Sequence, residues 1–204
     1  MLRSTIIQQI SPDDGSSIYL IFERLNTGGV NLNPMEIRQC VSYGPFISAL
    51  KEMNENSSWK KLIGRVDSDK RLRDVELVLR CLALAWYSDH YEKPMKGFLN
   101  DTAEKQRNTP NDYENTKERF DAVCNNILES LGEKPFHLRG RLNYGMLDAI
   151  VASEIKNGPS KNLNDVVEKI KEDEAFMNAV TSNTSDSKEV KLRIEKVSEL
   201  QLRG

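Results

Sequence analysis

The residues best suited to chemistry lie in one segment, which runs from Phe22 to Arg38 and reads F-E-R-L-N-T-G-G-V-N-L-N-P-M-E-I-R. Two helices joined by a glycine turn can direct backbone N–H groups from the loop and from the second helix's N-terminus toward one point, which forms an anion site. Beside such a point Arg24 can pair with phosphate. Glu23 or Asn26 can hold a magnesium ion that travels with a nucleotide. One interpretation of the segment is therefore a nucleotide site.

The same segment also fits a plain helix-turn-helix corner. In that interpretation Gly28 and Gly29 serve the geometry of the turn, because glycine adopts positive φ at little cost. Asn33 before Pro34 is a suitable N-cap, and Glu36 three residues later can reach back to complete a capping box. Taken alone, the residues favour this structural interpretation over the nucleotide site.

Other catalytic constellations are scarce. His90 and His137 are far apart in sequence, and neither belongs to an H-E-x-x-H zinc motif, so we expect no metal centre from them. Neither a G-x-x-x-x-G-K-[ST] phosphate loop nor a G-x-S-x-G nucleophile elbow occurs. The three cysteines, Cys40, Cys81 and Cys124, each sit in an apolar helical pattern, and we expect all three to be buried, reduced thiols.

One charged pair is predicted inside the strongest helix, which runs from Arg73 to Tyr87. Glu76 and Arg80 stand four residues apart, so a helix places them along one flank. The helix is apolar on several sides and should be central in the fold. The pair is therefore either a solvated surface pair or a partly buried bridge that fixes the packing.

The elements that must position these residues are predicted to be mainly helical. Caps and apolar stripes of helical period predict helices over residues 12–25, 34–41, 46–53, 73–87, 113–131, 143–155, 163–180 and 188–200, with a weaker polar helix after residue 94. Leu2–Ile10 is rich in β-branched residues and predicts one short strand. The expected fold is a helical bundle with one short N-terminal β-strand, which the family resemblance given below implies is left from a truncated α/β nucleotide-binding part.

Length and charge set further bounds. The chain has 204 residues, enough for a core without disulfides, and a formal net charge of -2, which gives no long-range field that attracts a polyanion. No stretch approaches the roughly 18 apolar residues of a membrane span, and the N-terminus lacks the apolar core of a signal peptide. We therefore expect no membrane partner and a cytoplasmic location.

The segment from Phe22 to Arg38 resembles the signature of the domain of unknown function 262 family, a ParB/sulfiredoxin-like group. That family includes the S component of GmrSD-type modification-dependent restriction systems. The similarity continues through R-L-R-D-V-E-L-V-L-R at 71–80, G-F-L-N at 97–100 and R-x-N at 141–143, so it covers most of the chain. The first segment is the specific one, and the others are weak alone.

In that family an N-terminal α/β part carries a D-G-Q-Q-R motif implicated in nucleoside triphosphate binding and hydrolysis, and a helical part follows. The resemblance implies that the following residues approach the nucleotide phosphates or metal: Glu23, Arg24, Asn26, Gly28 and Gly29. Asn33 and Glu36 would shape the helix behind them. The resemblance also divides the chain into the rear of the nucleotide-binding region (1–42), a helical bundle (43–180) and a linker with a C-terminal helix (181–204).

The departures from the family pattern are as informative as the match. The sequence contains no D-G-Q-Q-R, and nothing in it resembles the HNH-type nuclease domain that many members carry. We therefore expect the rear part of a longer protein in a prokaryotic defence system. A missing N-terminal half or a partner chain would complete the nucleotide site, the complete system would act on DNA, and this chain alone would hydrolyse little nucleotide.

Two other functions stay open from the sequence. The first is a non-enzymatic module that binds protein or DNA through a basic cluster of Arg71, Arg73, Arg139 and Arg141. The second is an inactive fragment, in which the apolar residues of 6–10 would be exposed and cause self-association.

Overall fold

The computed structural model describes residues 16–25, 31–107 and 113–203. Within these ranges the chain is mainly α, as the sequence predicts. The helices are α1 (Ser16–Leu25), α2 (Pro34–Val41), α3 (Pro45–Asn54), α4 (Ser57–Ile63), α5 (Arg73–Tyr87), α6 (Met95–Arg107), α7 (Glu114–Leu131), α8 (Tyr144–Asn157), α9 (Leu163–Glu172), α10 (Glu174–Thr181) and α11 (Ser187–Leu202). A 3-10 turn, Ser88–His90, follows α5.

The strand predicted at Leu2–Ile10 lies outside the described residues. The strands that are described form a short antiparallel hairpin of β1 (His137–Leu138) and β2 (Arg141–Leu142). Both residues of its tight turn have positive φ, 52° at Arg139 and 76° at Gly140, as in the turn type that favours two-residue hairpins. The sequence analysis missed this hairpin because two residues per strand are too few to show an alternating pattern.

Two neighbouring helices, α5 and α8, form the centre of the bundle. Their apolar residues belong to one large core with those of the surrounding helices, from Met35 in α2 to Val197 in α11. In α8 every residue from Gly145 to Ile155 is buried. The prediction that α5 is central is therefore confirmed, and α8 shares that position.

The helix predicted over 163–180 is interrupted in the structure. Asp173 has an extended backbone (ψ 109°) between α9 and α10, and its side chain accepts a 2.9 Å hydrogen bond from the Phe176 amide. The same carboxylate forms an ion pair with Lys196 of α11. The prediction was wrong because the aspartate begins a new helix, although the apolar spacing continues across it.

A further helix, α4, was not predicted. Asn56 is the N-cap of this seven-residue helix, and its side chain accepts a 2.9 Å hydrogen bond from the Trp59 amide. Gly64, in the left-handed region, is the C-cap. Trp59 is fully buried against α7, where its ring lies 5.3 Å from that of Phe120. One buried tryptophan stabilises this short helix by burying a large apolar surface.

At the other end of the molecule α1 packs on α2. Tyr19, Ile37 and Val41 form a small apolar cluster of their own, separate from the main core. None of the helices in the described ranges is long and apolar enough to cross a membrane.

Candidate functional site

The start of α2 is a complete capping box. The Asn33 side chain accepts hydrogen bonds from the amides of Met35 (2.9 Å) and Glu36 (3.0 Å), and the Glu36 carboxylate accepts one from the Asn33 amide at 2.6 Å. Pro34 occupies the first turn, where an amide would have had no helical partner. The predicted capping roles of Asn33 and Glu36 are confirmed.

Arg71, in the loop before α5, closes over this box. Its guanidinium donates to the Glu36 carboxylate at 2.9 and 3.3 Å and to the Asn31 carbonyl at 2.5 Å. In return its carbonyl accepts a 2.6 Å hydrogen bond from the Asn33 side chain. The hydrogen bonds from Arg71 and from the Asn33 amide lower the pKa of Glu36, so the carboxylate is held in its charged form.

These contacts overturn one part of the predicted anion site. The Asn33, Met35 and Glu36 amides are all bonded to the capping box, and the Ile37 amide donates to the Asn33 carbonyl at 3.1 Å. The prediction that N–H groups at the start of α2 point at an anion is wrong, because side chains of the same segment already occupy them. Asn33 and Glu36 do shape the helix, as the resemblance implies.

The remaining predicted site residues lie at and beyond the end of α1. Arg24 is exposed in the last turn of that helix. Glu23 belongs to α1, but the placement of its side chain is outside the described part of the chain, and so are Asn26, Gly28 and Gly29. Among the described residues, no three His, Cys, Asp or Glu side chains lie close enough together to hold a metal ion.

Arg38, on the buried side of α2, was not predicted as a site residue from the sequence. Arg38 is fully buried and donates three hydrogen bonds to three partners. Nη1 bonds to Glu76 at 2.6 Å, Nε bonds to Asn100 at 2.8 Å, and Nη2 bonds to the Lys96 carbonyl at 3.2 Å. Burial lowers the pKa of Arg38, and attraction to Glu76 partly offsets that effect. Arg38 thereby joins α2 to both α5 and α6.

The signal for this arginine was present in the sequence. Arg38, Glu76 and Asn100 each belong to a different segment that carries the family resemblance, and Arg71 is the first residue of the segment that contains Glu76. Their meeting point could not be located without the packing of the helices.

A second contact, between the hydroxyls of Tyr19 and Ser42 at 2.6 Å, joins α1 to the end of α2.

The predicted pair of Glu76 and Arg80 does not form. Glu76 binds Arg38, while Arg80 makes a bidentate contact with Asp148 of α8 at 2.5 and 3.1 Å. The two parallel bonds to Asp148 make a charge-assisted bidentate pair, which is stronger than a single solvated contact along one helix. Burial acts to lower the pKa of Arg80, but Asp148 outweighs it and raises that pKa above the usual arginine value.

The four arginines of the predicted basic cluster fall into two pairs. Arg71 is bound to Glu36, and Arg73 contacts Asp69 at 3.1 Å. Arg139 and Arg141, in the hairpin, are exposed and have no carboxylate partner among the described residues. Of these four arginines, the hairpin pair therefore carries the charge that no carboxylate of the described residues offsets.

The prediction that all three cysteines are buried is correct for two of them and wrong for Cys40. Cys40 is exposed on α2, whereas Cys81 and Cys124 are fully buried. Burial raises the pKa of both buried thiols well above the usual cysteine value. The prediction for Cys40 was wrong because its position falls on the outer side of a short helix whose buried side carries Met35 and Arg38.

The chain matches no protein-family profile, no curated protein and no solved structure at a significant level.

Proposed function

We propose that this chain is the helical part of a prokaryotic, restriction-type defence protein that binds a nucleoside triphosphate. It would present the F-E-R-L-N-T-G-G loop to a site that a D-G-Q-Q-R segment completes, supplied by a missing N-terminal half or a partner chain. The proposal takes its chemistry from the resemblance to the domain of unknown function 262 family. Magnesium would enter with the nucleotide.

The observation that carries the proposal is that segments far apart in sequence, each singled out by that resemblance, bind one another. Arg38 contacts Glu76 and Asn100, and Asn33 with Glu36 contacts Arg71. These contacts form a polar base on which α2 is fixed. A helix held at its start and at its buried face is a firm support for the loop that precedes it.

Because the amides at the start of α2 are already bonded, the proposal does not use them to bind the nucleotide. Nucleotide contacts would come from the end of α1 and the loop, through Glu23, Arg24, Asn26, Gly28 and Gly29. Asn33 and Glu36 would act behind them as positioning residues. Because Arg24 is the exposed cation of this set, it is the residue we assign to the phosphates.

The test is nucleotide hydrolysis by the chain alone and by the chain co-produced with a segment that carries D-G-Q-Q-R. We expect little hydrolysis by the chain alone and a gain in the combined sample. In that sample Arg24→Ala should weaken binding of a fluorescent ATP analogue with Mg²⁺ by roughly tenfold or more. Arg203→Ala, an exposed arginine at the end of α11, is the matched control. Substantial hydrolysis by the isolated chain would refute the complementation.

A second candidate function is a non-enzymatic module that binds protein or DNA. It is favoured by the internally bonded amides at the start of α2 and by the uncompensated charges of Arg139 and Arg141. If the hairpin contacts DNA phosphates, affinity for a duplex should fall steeply as salt rises, and Arg141→Gln should reduce that salt dependence. Binding that does not depend on salt, or no detectable binding of the duplex, excludes DNA as the partner of this module.

A further inference from the structure

An open cleft of about 660 Å³ lies between the hairpin, the first turn of α8 and the end of α10. Its wall includes the apolar side chains of Leu138, Leu142 and Met177, together with Arg139 and Tyr144. The volume falls in the range of pockets that hold small organic ligands. None of the residues that line it is acidic.

The side chains that reach the cleft combine an apolar surface with one cation. Tyr144 is 49% exposed although it begins a helix that is buried from the next residue onward. Arg139 is exposed in the hairpin turn and has no carboxylate partner among the described residues. Thr181 and Thr184 contribute polar groups on the opposite side.

The wall between α8 and α10 is closely packed at a glycine. A Cβ atom on Gly145 would come within 3.0 Å of the Val180 Cα atom. The Asn143 side chain bridges the same two helices, because it accepts from the Met146 amide at 2.8 Å and donates to the Val180 carbonyl at 2.8 Å. The cleft is therefore a fixed feature of this helix contact.

Behind the wall lies an excess of positive charge. Arg80 is 5.5 Å from the Tyr144 ring centroid, and Arg193 donates to the Thr184 carbonyl at 2.6 Å. Both guanidiniums share one carboxylate, Asp148, at 2.5 and 3.1 Å. The neighbouring Arg38 and Glu76 neutralise each other, so one positive charge is left over.

Arg193 is also incompletely bonded. It is fully buried, and its Nε atom has no hydrogen-bond acceptor among the described residues. The other buried carboxylate of α8, Glu154, lies about 9 Å further along the helix, is bonded by neutral donors of Asn126, Ser160 and Gln201, and offsets the positive charge only from that distance. Two guanidiniums that share one carboxylate leave a positive potential on their side of the helix, and this potential favours an anion in the cleft.

We propose that this cleft binds a small organic phosphate with an aromatic body. The aromatic part packs on Tyr144 and the apolar wall, and the phosphate lies toward Arg139. The α8 dipole adds to the positive potential at this end of the helix. The residues that line the cleft include none of those assigned to the nucleotide, and its function does not depend on the nucleotide proposal.

The test uses 1-naphthyl phosphate as the probe, with 1-naphthol and inorganic phosphate as partial probes. Calorimetric titration of the full chain should give a dissociation constant below about 1 mM for the complete probe and weaker binding of each part. In ¹H–¹⁵N spectra the amide signals of Tyr144, Gly145 and Thr181 should shift. Failure to bind at millimolar concentration, or shifts confined to other residues, overturns the proposal.

Variants separate the contributions of charge and stacking. Arg139→Gln and Tyr144→Ala should each weaken binding roughly tenfold, whereas Arg203→Gln should leave it unchanged. If Arg139→Gln binds the probe as tightly as the original chain, or if 1-naphthol binds as tightly as its phosphate, the anion site is refuted. Circular dichroism of each variant checks that the helices are intact. Because Arg139 is exposed, Arg139→Gln should fold normally, so weaker binding by that variant would report the lost charge.

Discussion

Arg38 of α2 donates a 2.6 Å hydrogen bond to Glu76 of α5, and the side chain of Arg38 is only 1% exposed. The two residues are 38 positions apart in sequence. Asn100 of α6 accepts from the same guanidinium, so one side chain determines how three helices meet. The position of α2 against α5 and α6 therefore depends on this contact.

We expect Arg38→Ala to lower the free energy of unfolding by about 3 kcal/mol, because the change leaves Glu76 without its cation and removes bonds to α6. Urea denaturation followed by circular dichroism measures the loss. A double-mutant cycle with Glu76→Ala should give a coupling energy above about 0.5 kcal/mol. Arg203→Ala, which removes only an exposed pair, should cost less than about 0.5 kcal/mol. Equal losses in the two arginine variants would contradict the role of Arg38.

Gly145→Ala tests the close contact of α8 with α10. The added Cβ would lie 3.0 Å from the Val180 backbone, and such overpacking costs about 1–3 kcal/mol, more than the helix propensity that alanine gains. Gly97→Ala in α6 is the control, because a Cβ there meets nothing within 4 Å. That variant should be stabilised by up to about 1 kcal/mol. Stabilisation by both substitutions, in thermal or urea unfolding, would show that the helices can separate at no cost.

The cysteines differ in their access to reagents. In the folded chain iodoacetamide should modify Cys40 first, because it is exposed, whereas Cys81 and Cys124 should react only after unfolding. A moderate rise in pH should leave the two buried thiols unreactive, because burial raises the pKa of both. Peptide mass spectrometry after timed quenching assigns each site. Cys40→Ser should abolish the fast phase, and a fast phase that persists would contradict the assignment.

The parts of the fold that could be predicted depend on local signals. Asn33, Pro34 and Glu36 begin α2 through contacts within four residues, and the apolar pattern of α5 needs no knowledge of its neighbours. The break at Asp173 escaped prediction because the apolar spacing of α9 continues into α10. There the cap and the ion pair with Lys196 decide the outcome.

The site could be predicted only in part, for a related reason. The spacing of Glu76 and Arg80 indicated a pair on one helix, but the partner of Arg80 is Asp148, which lies 68 residues away. Helix packing brings that carboxylate within reach, and no local pattern encodes it. At the start of α2 the sequence indicated either an anion site or a capping box, and the structure has the capping box. The contact of Arg71 with Glu36, 35 residues away, has no local signal.

The Glu36 carboxylate should make the stability of the α2 corner depend on pH. Its pKa is lowered in the folded chain, by Arg71 first and by the Asn33 amide second. A group whose pKa is lower when folded contributes stability above its unfolded pKa of about 4.3, and this contribution is lost as pH falls through the folded pKa. Between neutral pH and about pH 5 the contribution should be constant.

The measurement is the free energy of urea unfolding at pH 7, 5, 4 and 3 for the original chain and for Glu36→Gln. Because glutamine cannot carry the charge, the difference between the two chains should be largest at pH 7 and should shrink below about pH 4. Glu168→Gln is the matched control, an exposed carboxylate of α9 without an ion pair among the described residues, and it should change little at any pH. A difference for Glu36→Gln that stays constant down to pH 3 would mean that the charge of Glu36 does not stabilise the corner.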